Sequence, residues 1–214
     1  MIIKGYLLTF LYFAIVSGIS LSFRRVFKVR NIITRKSTHI LASLVWFIMY
    51  IYFGTSIHMI IPPLLFVIMS FISYKYKLFE LFLTDGEFLG IIYYFLSILI
   101  LASISFIHNE FIYAYGIAIL CMGLADGFAP LVAGFLKSKD IVKNKTITGT
   151  LTVLVVSILV VYLFNYYFAM DYNIFKIIII GIASALLELI GRQGLDNLYL
   201  PLGVAAVTYF LGVL

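Results

Sequence analysis

Long apolar runs broken by short polar stretches set the pattern of this chain. A helix that crosses the hydrocarbon core of a bilayer needs about 20 mostly apolar residues. Runs of that kind fall at about 5–23, 37–53, 58–74, 88–107, 111–125, 149–169, 174–191 and 198–214, several of them near the short limit. The fifth ends directly on Asp126. A further apolar stretch, 128–136, is too short to span and is predicted to lie in the interface or to re-enter. The pattern predicts an all-α, polytopic helical bundle of about eight spans, forming one domain over 1–214. No internal repeat, low-complexity tract or soluble domain interrupts it.

Composition narrows the class. Of the 214 residues, 64% are hydrophobic and 11% charged, against about a quarter charged in an ordinary soluble domain. A mean hydropathy of +1.15 leaves too little polar surface to cover a water-soluble particle of this size. A cytosolic globular enzyme, a secreted disulfide scaffold and a disordered chain are excluded. The single cysteine, Cys121, lies in an apolar run and supports no disulfide framework.

The charge balance is basic, with 15 Lys and Arg against 9 Asp and Glu. In a membrane protein such an excess reports orientation, so nucleic acid is not an expected partner. Arg24, Arg25, Lys28, Arg30, Arg35 and Lys36 fall in the first loop, and Lys75 and Lys77 in the third. Lys137, Lys139, Lys143 and Lys145 fall in the fifth and Arg192 in the seventh, leaving only Lys4 and Lys176 on the other side. The positive-inside rule then puts the odd loops in the cytoplasm and both termini outside. The first basic cluster follows its apolar run, so that run is expected to be a span and not a cleaved signal peptide.

Ionisable groups within a membrane are costly and mark function. Here they collect at the predicted cytoplasmic ends of spans, while the external loops carry little beyond His108, Asn109, Glu110, Asp171 and Asn173. A transporter is expected to place polar groups near the bilayer midplane, on broken helices. A one-sided polar site instead suits an enzyme that joins a cytosolic substrate to a lipid headgroup.

Four clusters make up that side. In Thr34-Arg35-Lys36-Ser37-Thr38-His39, Thr34 is expected to cap a helix whose next turn offers free backbone N–H groups. His39 shares a helical face with Arg35 and Lys36, and this basic set suits a polyphosphate or an anchor for anionic lipid. In Gly123-Leu124-Ala125-Asp126-Gly127, an oxygen ligand of the kind Mg²⁺ prefers precedes a glycine that permits close approach of a phosphate. The alternative is a helix end with Gly127 as its left-handed cap. Lys143-Asn144-Lys145-Thr146-Ile147-Thr148-Gly149-Thr150 opens the sixth span, with Thr146 or Thr148 as cap and Lys145 where an anion would meet the helix start. It lacks the P-loop pattern and reads equally as another positive-inside loop. Glu188 lies near the end of an apolar span and needs a partner, for which Arg192 at i+4 is available, with Asp196 and Asn197 following. Basic helix ends, acids and a glycine-marked approach are together the components of phosphoryl transfer.

These residues resemble the CTP-dependent lipid and polyprenol kinase family, which includes phytol kinase, dolichol kinase and a CTP-dependent diacylglycerol kinase. Arg35-Lys36-x-x-His39 resembles its Arg-Lys-x-x-His motif, and Ala125-Asp126-Gly127-x-Ala129 its Gly-Asp-Gly-x-Ala motif. Lys145-Thr146-x-x-Gly149-Thr150 resembles Lys-Ser-x-x-Gly-Ser. Gly90-Ile91-Ile92-Tyr93-Tyr94, then Glu188 with Asp196-Asn197-x-x-x-Pro201, follow in the family's order, so the similarity runs from Arg35 to Pro201. Ala125 replaces a usual Gly, Pro130 stands where phytol kinases often carry an acid, and no Arg follows Gly134.

The resemblance implies a single transmembrane kinase domain with CTP as donor, Mg²⁺ as cofactor and an isoprenoid alcohol as acceptor, working at the cytoplasmic face. It implies that Asp126 holds Mg²⁺ or orients the hydroxyl, and that Arg35, Lys36, His39 and Lys145 meet phosphates together with Thr146, Gly127 and Gly149. Glu188, Asp196 and Asn197 are expected to hold a second metal or to fix those cations, with Arg192 available to neutralise Glu188. Diacylglycerol as acceptor, cytidylyl transfer to a lipid phosphate and a non-catalytic membrane carrier are the alternative expectations. The acceptor's chain length and the oligomeric state are left open by the sequence.

Overall fold

The apolar runs become helices in the computed structural model, which describes residues 1–27, 31–77, 85–136, 138–142, 145–191 and 194–213. Lys28, Arg30, Lys137, Lys143, Asn144 and Arg192 lie outside the described residues. In chain order the helices are α1 (Ile2–Arg25), α2 (Asn31–Ser43), α3 (Val45–Phe53), α4 (Ile61–Lys75), α5 (Asp85–Ile107), α6 (Ile112–Leu120) and α7 (Asp126–Leu136). A short antiparallel ribbon of β1 (Asp140–Val142) and β2 (Lys145–Thr146) leads into α8 (Ile147–Phe168), α9 (Ile174–Ile190) and α10 (Asp196–Val213). The ribbon is a small departure from the all-α expectation.

Among the described residues, six stretches are long and apolar enough to cross a membrane: Ile2–Arg24, Ile33–Phe53, Ile57–Lys75, Phe88–Ile107, Asn109–Leu136 and Ile147–Phe168. The polytopic helical bundle is therefore present. The last two expected runs form α9, of 17 residues, and α10, of 18. At the α-helical rise, 17 residues reach about 25 Å, less than a hydrocarbon core of about 30 Å.

The fifth apolar run does not stop at Asp126. A π turn at Cys121–Ala125 joins α6 to α7, and the helical path continues to Leu136. Stretch 128–136 is therefore the body of α7. Gly127 sits inside that helix and is not its left-handed end; among described glycines, positive φ occurs only at Gly54 and Gly194. The helix passes Asp126 because the carboxylate finds a cation from another helix. A second correction concerns α2, which begins at Asn31, so Thr34 is a buried residue within the helix and not its cap.

Helix α6 is the axis of the core. Ile112, Ala114, Tyr115, Gly116, Ile117, Ala118, Ile119 and Leu120 are all buried, as expected of a helix apolar on every side. Gly116 lets Trp46 of α3 and Phe164 of α8 close over it, since a Cβ there would stand 2.5 Å from Trp46 Cε2 and 2.7 Å from Phe164 Cε1. Around this axis α8 packs on α7 and α9, while α10 packs on α9, α6 and α5. Helix α4 lies on α5, α1 on α2 and α3, and α2 on the π turn and α7.

Candidate active site

The close approach of α2 to α7 follows from two glycines spaced four apart. A Cβ at Gly123 would collide with the Ser43 side chain and stand 3.0 Å from the His39 carbonyl. One at Gly127 would stand 2.5 Å from Ile40 Cγ1. Small residues at this spacing let membrane helices touch through their backbones. Gly127, expected beside a phosphate, thus has its open side filled by Ile40. The approach carries Lys36, one turn before Ile40, onto Asp126, and Nζ donates to Oδ2 at 2.6 Å. The side chains are 8% and 3% exposed. A buried pair of this kind adds little net stability over an apolar pair, yet leaving one partner alone costs about 3–5 kcal/mol.

The second cation is placed by the start of α8. Thr146 is its cap, accepting from the Gly149 N–H at 3.1 Å, while Ile147 N–H donates to the Lys139 carbonyl at 3.1 Å and Thr148 N–H to Ser138 Oγ at 3.1 Å. Thr146 and Gly149 therefore build the turn that holds Lys145. Lys145 Nζ donates to Glu188 Oε1 at the end of α9 and lies 3.8 Å from Asp196 Oδ2 at the start of α10. Burial works against the Lys145 ammonium, but Asp126, Glu188 and Asp196 together outweigh it and raise its pKa above the ordinary lysine value. Arg192 lies outside the described residues, and the partner that Glu188 requires is Lys145, 43 positions away.

Asn197 ties α10 to α5, its Nδ2 donating to the Gly90 carbonyl at 2.8 Å. His39 packs on Tyr94 with ring centroids 5.3 Å apart, and His39 Nδ1 and Tyr94 Oη are both buried without partners. Among the described residues, Glu188 Oε2 is likewise buried without a partner. Two prolines add to the polar end. Pro130 and Pro201 each stand four residues after a site residue, inside α7 and α10. Lacking an N–H, they cannot take up the carbonyls of Asp126 and Asn197 as a helix normally would.

A cavity of about 410 Å³ opens beside this cluster, between α1, α2, α4, α5 and the start of α10. Its polar end is lined by Arg35, Lys36, His39, Asp196 and Asn197, with Arg24 near them. Phe13, Phe66 and Phe95 line the apolar part. Arg35 is exposed whereas Lys36 is buried, so the two adjacent cations serve different places. Nothing in the apolar pattern pointed to the cavity, because α1 and α4 read simply as spans. Pro130 and Pro201, by contrast, were signals already in the sequence.

The residues expected to act together are thus brought together from five helices and the ribbon. Among the described residues, however, no three His, Cys, Asp or Glu side chains surround a common point at which a metal ion could sit. Asp126, Glu188 and Asp196 are spread around the two lysines. That arrangement fits Mg²⁺ held by one or two carboxylates together with substrate phosphates, and not a dedicated all-protein cage.

Fold and site define a polytopic helical membrane protein with a lysine–carboxylate cluster of which Lys36 and Asp196 line an amphipathic cavity. The chain is similar to a phytol kinase of Synechocystis, 36% identical over 126 residues. The match covers 56% of this chain and 53% of that protein, so the chain spans about half the length of the curated relative it matches. This supports the resemblance to lipid alcohol kinases carried by the motifs. No family model and no solved structure matches the chain.

Proposed function

We propose that the chain is a membrane-embedded kinase that transfers the γ-phosphoryl group of CTP to the hydroxyl of an isoprenoid alcohol at the cytoplasmic face. One observation carries the reading. Lys36, paired with Asp126, and Asp196, beside Lys145 and its partner Glu188, both line the polar end of a cavity whose other end is apolar. A phosphate-binding cluster alone would suit many enzymes; one opening into a space walled by Phe, Leu and Met suits an acceptor that is mostly hydrocarbon.

In this reading the odd loops lie in the cytoplasm and both termini outside, so CTP reaches the cluster from the cytosol. Lys36 and Lys145 exchange their carboxylates for phosphate oxygens, and Arg35, on the exposed wall, adds a planar fork. His39 lines the same wall. Asp126 and Glu188 are the carboxylates that would hold Mg²⁺, with Asp196 between Lys145 and the cavity. When bound, Mg²⁺ supplies neutralisation of charge on the phosphates. The alcohol oxygen forms the new bond to the γ-phosphorus as the bond to CDP breaks, and the hydroxyl proton passes to a carboxylate of the cluster. Positioning and charge neutralisation dominate such transfers.

The test is purified protein with Mg²⁺ and CTP labelled at the α- or γ-phosphate, offered phytol, geranylgeraniol, a long polyprenol, diacylglycerol or a lipid phosphate (phosphatidic acid) separately. γ-Label in an isoprenoid phosphate is the expected result. α-Label in a lipid phosphate acceptor would establish cytidylyl transfer instead, and γ-label confined to diacylglycerol would replace the acceptor. No label in any lipid, beside an active control enzyme, would overturn the kinase reading and leave a carrier.

A further inference from the structure

We infer that Phe13, Phe66 and Phe95 form the floor of the acceptor groove and set the length of isoprenoid chain that it encloses. The inference rests on the kinase reading for its substrate class and on the shape of the cavity for its content.

The cavity runs along three helices from their shared polar end. On α1 its lining goes from Arg24 to Phe13, eleven residues or about 16 Å along the helix axis. On α4 it goes from Ser73 to Phe66 and on α5 from Phe88 to Phe95, seven residues or about 10 Å on each. The deepest lining residue on each helix is therefore a phenylalanine. The three rings meet. Phe13 and Phe66 have centroids 4.5 Å apart, Phe66 and Phe95 4.9 Å, and Phe13 and Phe95 5.4 Å. Phe10 backs the group, 5.4 Å from Phe66. Rings contributed by three helices and packed in tilted and stacked pairs make a stiff barrier, because no single helix can move its ring without disturbing two others.

The walls above that floor are built differently. Ser17 and Ser20 on α1 and Ser70 and Ser73 on α4 line the space between the two helices. Each pair is spaced to share a helical face. Serines there leave room where larger residues would bring side chains into contact. Small walls and an aromatic floor describe a slot of defined depth, entered at its polar end beside Lys36 and His39. A short isoprenoid alcohol fits it with the hydroxyl at the cluster, whereas a long polyprenol would meet the floor.

Two measurements test this independently. First, an isoprenoid alcohol of geranylgeraniol length carrying a diazirine at its hydrocarbon end is photolysed on the protein without CTP. Labelling of peptides containing Phe13, Phe66 or Phe95, suppressed by excess unlabelled geranylgeraniol, is expected. Labelling spread over lipid-facing residues such as Tyr166 and Phe175, with no suppression, would overturn the floor. Second, phosphorylation rates are compared for farnesol, geranylgeraniol and a long polyprenol. Phe66→Ala should raise the polyprenol-to-geranylgeraniol rate ratio about tenfold, and Phe66→Trp should lower the geranylgeraniol-to-farnesol ratio by a similar factor, as expected for hydrocarbon discrimination in a pocket. Phe66→Trp opposes Phe66→Ala in sign and removes no core volume, so loss of folding cannot mimic the pair. Active enzyme with unchanged ratios in both variants would overturn the floor and leave the kinase reading standing. Labelling at the floor without any phosphoryl transfer would overturn the kinase reading and leave the groove.

Discussion

The two ends of the bundle use polar residues in opposite ways. At the end away from the cluster, the hydrogen bonds join neutral groups. Asn165 Nδ2 donates to the Tyr172 carbonyl at 3.1 Å, Tyr172 N–H donates to Asn165 Oδ1 at 2.8 Å, and Tyr172 Oη donates to the Thr208 carbonyl at 2.9 Å. Tyr6 and His58 share a hydrogen bond of 2.8 Å. These contacts fasten α8 to α9, α9 to α10 and α1 to the start of α4. At the cluster end the groups are charged; among the described residues, buried polar atoms without a partner occur at both ends, Thr208 Oγ1 at the one and Glu188 Oε2 and His39 Nδ1 at the other. Hydrogen bonds among neutral groups hold helices together at little risk. Buried charges that are only partly paired are a poor way to do so.

The strongest way to break the comparison is at Asp126. Asp126→Asn should lower phosphoryl transfer by about 100-fold or more, the scale of losing one charge-stabilising group. It should also destabilise the protein by about 3–5 kcal/mol, since Lys36 is left buried and alone. The double variant Lys36→Met with Asp126→Asn should recover most of that stability, measured by thermal denaturation in detergent, and none of the activity. Recovery of activity would mean that the pair is structural.

Gly127→Leu comes next. The added side chain enters the space of Ile40, so a loss of about 1–3 kcal/mol is expected together with loss of transfer as α2 is pushed off α7. Gly134→Ala, where a Cβ meets nothing within 4 Å, is the control and should not lower the melting temperature, since alanine in place of glycine favours the helix. An equal effect of the two substitutions would remove the packing argument.

Smaller effects separate the ends further. Thr146→Ala should cost about 1 kcal/mol by uncapping α8, with Thr146→Ser restoring it, and should weaken CTP binding because the cap positions Lys145. Tyr172→Phe removes one hydrogen bond at the opposite end, for about 0.5–1.5 kcal/mol, and should leave transfer per folded molecule unaltered. A change in acceptor or CTP dependence in Tyr172→Phe would show that the far end is coupled to the chemistry.

Much of this was legible beforehand, for identifiable reasons. Apolar runs mark membrane helices because the bilayer demands length and hydrophobicity from every span, and six such stretches stand where runs were read. Thr146 was one of two caps expected for α8, because capping depends on residues three apart. Thr34 misled for the same local reason, since a threonine before a polar turn looks like a cap wherever the helix actually begins. Glu188 was matched to Arg192 because i+4 is the only pairing that sequence spacing offers. Among the described residues its partner is Lys145, from the ribbon before α8, while Arg192 lies outside them.

The sequence by itself determined a multi-pass helical protein, the gathering of its charged residues into a few clusters and the motifs that resemble lipid kinases. These depend on hydrophobicity, spacing and local propensity, all of which act within a few turns. Only the tertiary structure decided that Lys36 meets Asp126 across 90 positions, that Lys145 is shared by Glu188 and Asp196, and that Phe13, Phe66 and Phe95 close one cavity. The first pairing follows from the close approach of α2 to α7 that Gly123 and Gly127 permit, and all three are fixed by packing in three dimensions.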